Sequence, residues 1–147
     1  MIKIILAVDG SEPSLAATRA VIKHRPMFID PVEIHLIHVS VPIPRPYGMH
    51  LVVDSATIER IIKDDAEQAM ISSKILFEKW GIAYKSQHFV GEVAHTINEL
   101  AATYEADFIY IGARGLGVFR GAVLGSTTMK LLQTASTPVV VIHTATS

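Results

Sequence analysis

With 147 residues, half of them hydrophobic and 18% charged, the chain carries enough apolar surface to fold as one domain, residues 1–147, and is not disordered. A formal net charge of −1 provides no general field for nucleic acid or an anionic membrane, so neither is an expected partner. The lack of cysteine excludes disulfides, thiolate chemistry and Cys-ligated zinc.

The chain opens on an apolar run, Ile2–Val8, that ends at Asp9. It is too short for a secretory h-region and lacks a basic flank and a small-residue cleavage site, so the expected location is the cytoplasm. No apolar run is long enough to cross a bilayer. Ser11 is a plausible N-cap, with Pro13 in the first turn, for a helix reaching about His24. A second strand follows at Val32–Val39. Ser40–Val53, punctuated by Pro42, Pro44 and Pro46 with Gly48 following, is the one long irregular segment, and reads either as a surface loop or as a lid over a ligand.

Asp54 to about Trp80 is a long amphipathic helix with Ile58, Ile61, Ile62, Ala66, Ala69, Met70, Ile75 and Leu76 on its apolar side, stopped by Gly81. Trp80 reads as core or interface. Ala83–Val90 alternates as a half-exposed edge strand would. Glu92–Glu105 repeats Val93, Ile97, Leu100, Ala101 and Tyr104 at helical spacing, Asp107–Ile111 is a fourth strand, Ser126 to about Ala135 a last helix, and Pro138–His143 a last strand. Strand and helix thus alternate throughout. Near-continuous apolar strands suit a parallel sheet covered on both faces, and right-handed crossovers restrict it to doubly wound topologies. Such sheets bind ligands at the carboxyl ends of their strands, where strand order reverses. If the first and fourth strands flank that reversal, Asp9 and Gly112 face one crevice.

The strongest motif is Gly112-Ala113-Arg114-Gly115 followed, after nine residues, by Gly125-Ser126-Thr127. It joins a strand to a helix, where bare backbone N–H groups and a helix N-terminus can cradle phosphate, or where the glycines serve turns and tight helix–sheet packing. No acidic residue follows Asp107, so Arg114, Arg120 and Lys130 leave the last quarter cationic. Asp9 reads either as an acceptor for a ribose hydroxyl or an adenine amino group, or a contact to a divalent metal, or as part of a helix-entry turn in which Gly10 supplies backbone freedom.

Several alternatives fail. There is no Walker A sequence. Gly115-Leu-Gly117-Val-Phe-Arg-Gly121 has three residues, not two, before its last glycine, and no acid follows at the distance a dinucleotide site needs. No HExxH or GxSxG occurs. His35 and His38 point to opposite faces of their strand and cannot share a metal.

At this point the chain resembles the ATP-binding branch of the universal stress protein family. The likeness runs through Ala7-Val8-Asp9-Gly10-Ser11, His38-Val39, Gly91…Ile97…Leu100-Ala101, Ala106 to Gly115, and Gly125-Ser126…Pro138 to Val141. The resemblance implies an α/β fold with an open, doubly wound, five-stranded parallel sheet in order 3-2-1-4-5 and helices on both faces, adenine nucleotide alpha hydrolase-like. It also implies ATP, or AMP or ADP, in the crevice. Asp9 would contact the adenosine, with Ala7 and Val39 lining the adenine pocket. Gly112, Gly115, Gly125, Ser126 and Thr127 would hold the phosphates with Mg2+. The candidate site is therefore Ala7, Val8, Asp9, Val39, Ile111, Gly112, Arg114, Gly115, Gly125, Ser126 and Thr127, with no catalytic residue nominated. No metal site is made by protein ligands alone, Mg2+ being held through phosphates with Asp9 the one carboxylate offered to it. The family usually forms homodimers, and the apolar last strand, Val139–His143, would be a bare edge that a second copy covers. The function expected is a dimeric nucleotide-binding sensor or effector of the stress response. The competing functions are a slow Mg-dependent ATPase or nucleotidyl transferase, and an interaction module without nucleotide.

Overall fold

The computed structural model describes residues 1–42, 54–115 and 124–144. Most of the expected Ser40–Val53 segment, together with Gly117, Arg120 and Gly121, lies outside the described residues. Five strands, β1 (Ile2–Ala7), β2 (Val32–Ser40), β3 (Lys85–Val90), β4 (Phe108–Gly112) and β5 (Val139–Ile142), form one parallel sheet in the order β3-β2-β1-β4-β5. Among the described residues four helices connect them: α1 (Glu12–His24), α2 (Ser55–Lys79), α3 (Val93–Tyr104) and α4 (Ser126–Thr134). A short 3-10 turn, Arg25–Met27, follows α1 and was not legible in the sequence.

Although the strand sequences are almost continuously apolar, the pleat divides them between two cores. Ile4, Leu6 and Val8 of the first strand and its exit join Ile34 and Leu36 under Ala17 and Val21 of α1 and Met70 and Phe77 of α2. Ile5 and Ala7 turn the other way, with Ile37, Val39, Ile109 and Ile111, under Ile97 of α3 and Leu131 of α4. Burial on both faces is what the continuous pattern requires. At the outer edge β3 is mostly exposed, and only Phe89 is half-buried.

Two expectations for α2 need correction. Its buried stripe is Ala66, Ala69, Met70, Ser73 and Phe77. Ile61 and Ile75 are 43% and 56% exposed. At about 100° per residue both fall nearly opposite that stripe, so they cannot share it. Trp80 is 64% exposed and is not a core residue, because the helix ends at Lys79 and Trp80 caps it from outside. Gly81 follows with φ +63° and ends the helix as expected. Among the described residues no helix is long and apolar enough to cross a membrane.

Strand order reverses between β1 and β4. The chain leaves β1 toward β2 on one side and leaves β4 toward β5 on the other. The crevice above their carboxyl ends is where such a sheet leaves room for a ligand.

Candidate functional site

A cavity of about 310 Å3 opens at this reversal, and every residue nominated from the sequence lines it. Its floor is apolar: Ala7 at the end of β1, Ile37 and Val39 of β2, Ile111 of β4, and Val93 and Ile97 of α3. Sequence reading did not nominate Ile37, Val41, Val93, Ile97, Ser14 or Thr128. The periodicity of α3 marked Val93 and Ile97 as apolar, but only the packing of α3 beside β1 and β2 brings them to the cavity.

One wall is the turn from β1 into α1. The Asp9 carboxylate accepts from the Ser11 amide at 2.9 Å and from the Ser11 hydroxyl, and the Asp9 amide donates to Ser14 Oγ at 3.4 Å. Ser11 in turn caps α1, accepting from the Ser14 amide. Gly10 has φ +85°, and a Cβ there would lie 3.3 Å from Ala69 Cα, so both conformation and space call for glycine. Asp9 thus organises the helix entry while lining the cavity.

The opposite wall is the glycine turn after β4. It is pinned by backbone bonds: Ala113 donates to Ile142 at 2.8 Å, and Gly125 donates to Ala113 at 2.7 Å. Thr128 Oγ1 donates to the Gly112 carbonyl at 2.9 Å. The glycines have different reasons for being glycine. A Cβ on Gly112 would sit 2.6–2.8 Å from Pro13 atoms, two of them backbone, so the close packing of α1 on β4 demands its absence. Among the described residues a Cβ on Gly115 would meet only the Asp9 carboxylate, at 2.5 Å from Oδ2, across the cavity mouth. Asp9 and the turn are thereby brought into near contact.

The helix that follows is electrically distinct. Ser11, Asp54 and Glu92 each cap their own helix through a side-chain oxygen. Gly125 at the start of α4 has no side chain, and the first turn of α4 holds no acid. No described residue accepts from the Ser126 or Thr127 amides. Uncompensated amides at a helix start carry partial positive charge and are suited to an anion. Arg114 adds a half-buried guanidinium that has no ion-pair partner among the described residues. Asp9 is the one carboxylate on the described lining. No group of three or more His, Asp or Glu able to hold a metal occurs among the described residues.

Beside this mouth, Glu92 accepts from the His95 amide at 2.8 Å and pairs with Lys130 at 3.3 Å. The His95 amide first, and Lys130 second, hold its carboxyl below the usual range. Away from the cavity, His35 is buried, stacked on Tyr104 at 4.4 Å and bonded to Glu33. His38 donates through Nδ1 to the Val8 carbonyl at 2.8 Å.

The topology and the cavity at its reversal point define a doubly wound α/β protein with an anion-ready helix terminus facing an apolar slot. The chain belongs to the universal stress protein family, whose model matches residues 1–143. It is 28% identical over 140 residues to a universal stress protein of Methanocaldococcus jannaschii, covering 95% of this chain and 81% of that one. A relative from Mycolicibacterium smegmatis is 29% identical over 141 residues, and the chain spans 47% of its length. Among solved structures, the universal stress protein UspA from Lactobacillus plantarum superposes with a TM-score of 0.77 at 20% identity, covering 96% of this chain and 97% of that one. An Arabidopsis thaliana family protein solved with AMP bound has a TM-score of 0.68 at 18% identity, covering 99% and 93%. Two others are complexes with cAMP and, from Archaeoglobus fulgidus, with dAMP, with TM-scores of 0.64 and 0.59 at 21% and 20% identity, each covering at least 97% of both chains.

Proposed function

We propose that the cavity binds an adenine nucleotide, ATP foremost, and that the protein acts as a dimeric nucleotide-dependent sensor or effector in the stress response. The observation that carries this reading is the uncapped start of α4 facing Asp9 across a glycine turn, above an apolar slot. The chemistry of the lining suits the parts of the ligand in turn. Ala7, Val39 and Ile111 offer an apolar berth for a base. The Asp9 carboxylate accepts from ribose hydroxyls. The amides of Ser126 and Thr127, the Gly115 backbone and Arg114 offer positive partial or full charge to phosphates. The volume lies at the lower end of the range for ligand pockets. The family neighbours that hold AMP, cAMP and dAMP support the adenine preference. With one lining carboxylate among the described residues, Mg2+ would be carried by the phosphates, Asp9 being its one protein contact.

The dimer reading rests on the free edge of the sheet. Val139–Ile142 is wholly apolar and half-exposed throughout, and Met129 and Leu132 of the neighbouring α4 are 49% and 45% exposed. Among the described residues no strand pairs with the outer side of β5, and an apolar edge of this kind invites a twofold mate.

Mass spectrometry of the ligand released from purified protein, with calorimetric titration of ATP, AMP and GTP, tests the assignment. An adenine nucleotide is expected to copurify or to bind at micromolar to low millimolar concentration. Gly115→Val is expected to abolish binding in a folded protein. Absence of any copurified nucleotide together with no heat from ATP or AMP refutes it.

A further inference from the structure

We infer that Lys130 is the residue by which this site distinguishes a triphosphate from a monophosphate, an inference that rests on the nucleotide reading above. Lys130 lies one turn beyond Ser126 on the same face of α4, and helix side chains lean toward the N-terminus. Its Nζ pairs with Glu92 Oε1 at 3.3 Å. The other oxygen of Glu92 accepts from the His95 amide at 2.8 Å, which fixes that carboxylate over the start of α3, beside Val93. Val93 and Ser126 both line the cavity. The ammonium is therefore held between the first turns of the two helices that bracket the cavity mouth, and both members of the pair remain half-exposed and free to re-pair.

The two helix starts differ in sign. α4 is uncapped, whereas α3 carries an anion on its N-terminus. A single phosphate seated on the Ser126 and Thr127 amides is satisfied there and stops short of a residue one turn away, about 5.4 Å along the axis. The outer phosphates of ATP extend beyond that seat and approach Glu92, which repels them. Lys130 is the one cation of α4. By turning from Glu92 toward the terminal phosphate while staying beside both, it keeps its charge paired in either state and offsets part of the repulsion. Arg114 lines the cavity and adjoins Gly125 at the start of α4, the seat that a single phosphate would already occupy.

Titration of ATP and AMP, both with Mg2+, into wild type, Lys130→Gln, Lys130→Arg and Glu92→Gln tests this. Lys130→Gln is expected to weaken ATP about five- to tenfold and to leave AMP within twofold, with Lys130→Arg near wild type. Glu92→Gln, which retains an acceptor for the His95 amide, is expected to tighten ATP roughly two- to threefold. The ATP preference should shrink in high salt. Equal loss for ATP and AMP in Lys130→Gln, or no loss for either, overturns the role of Lys130 while leaving nucleotide binding intact. Wild-type protein that binds neither nucleotide overturns the nucleotide reading and this inference with it.

Discussion

Gly112 and Gly115 look equivalent in the motif, yet alanine at each should fail in a different way. At Gly112 the new Cβ would fall 2.6 Å from the Pro13 carbonyl carbon and 2.7 Å from its oxygen, where ordinary contact begins at 3.4 Å. Either β4 or the first turn of α1 must retreat by roughly 0.8 Å, the gap between 2.6 and 3.4 Å. Neither yields easily. β4 is paired on both sides, by β1 and β5, and the start of α1 is fixed by the Ser11 cap and its bonds to Asp9. Overpacking against such a frame costs about 2–3 kcal/mol, and for a domain of this size that lowers Tm by roughly 5–10 °C. At Gly115 the new Cβ meets, among the described residues, only the end of the Asp9 side chain. Rotating that carboxylate sacrifices bonds to Ser11 worth about 1 kcal/mol, or roughly 2–4 °C, while displacing the acceptor proposed for the ribose. Scanning calorimetry with and without saturating ATP separates the two. Gly112→Ala should melt early yet still be stabilised by ATP, whereas Gly115→Ala should melt near wild type with most of the ATP shift lost. A Gly112→Ala protein melting within about 2 °C of wild type, or a Gly115→Ala protein less stable than it, would refute the assignment of one glycine to packing and the other to the mouth.

Glu105 closes α3 with φ +52°, a conformation that costs a side-chain-bearing residue energy. Glu105→Gly should raise stability by about 0.5–1 kcal/mol in urea denaturation, net of the added freedom of the unfolded chain. Glu33, bonded to Lys85 and then His35, and Glu92, bonded to the His95 amide and then Lys130, are both held below the ordinary carboxyl value of 4.5. The folded state therefore binds fewer protons than the unfolded one; the stability they add is complete above about pH 4.5 and is lost as pH falls through the lowered folded values. Urea midpoints measured from pH 6 to 3 should decline less steeply in Glu92→Gln than in wild type, and parallel curves would contradict the assignment. Val141→Lys, placing a charge on the half-exposed edge strand, should shift a dimer toward monomer in light scattering at micromolar concentration; an unchanged mass would remove β5 from the interface.

The topology was legible because each signal was physically separate: apolar runs for β1, β2 and β4, Ser11 for the start of α1, Gly81 for the end of α2. The alternation of Lys85, Gln87 and Phe89 marked β3 as an edge, since one face of an outer strand has only partial cover. What escaped was angular and tertiary. Ile61 and Ile75 are as hydrophobic as Met70, and only their position around the helix separates them from the core. Glu92 read as the first helical residue, because glutamate is a poor N-cap by propensity; its partnership with Lys130 depends on α4 lying beside α3. The nominated residues meet at one cavity because the glycine motif and Asp9 both end strands that flank the reversal. Their shared position follows from topology, but the proximity of Gly115 to Asp9 required coordinates.

The register that aligns Ile4 with Phe108 joins stretches more than a hundred residues apart in the chain. During synthesis, the crevice between β1 and β4 has only one bank until most of the chain has emerged. A pocket at that crevice is therefore complete only once both strands have been made, and a translation product that stops before β4 lacks one of its walls.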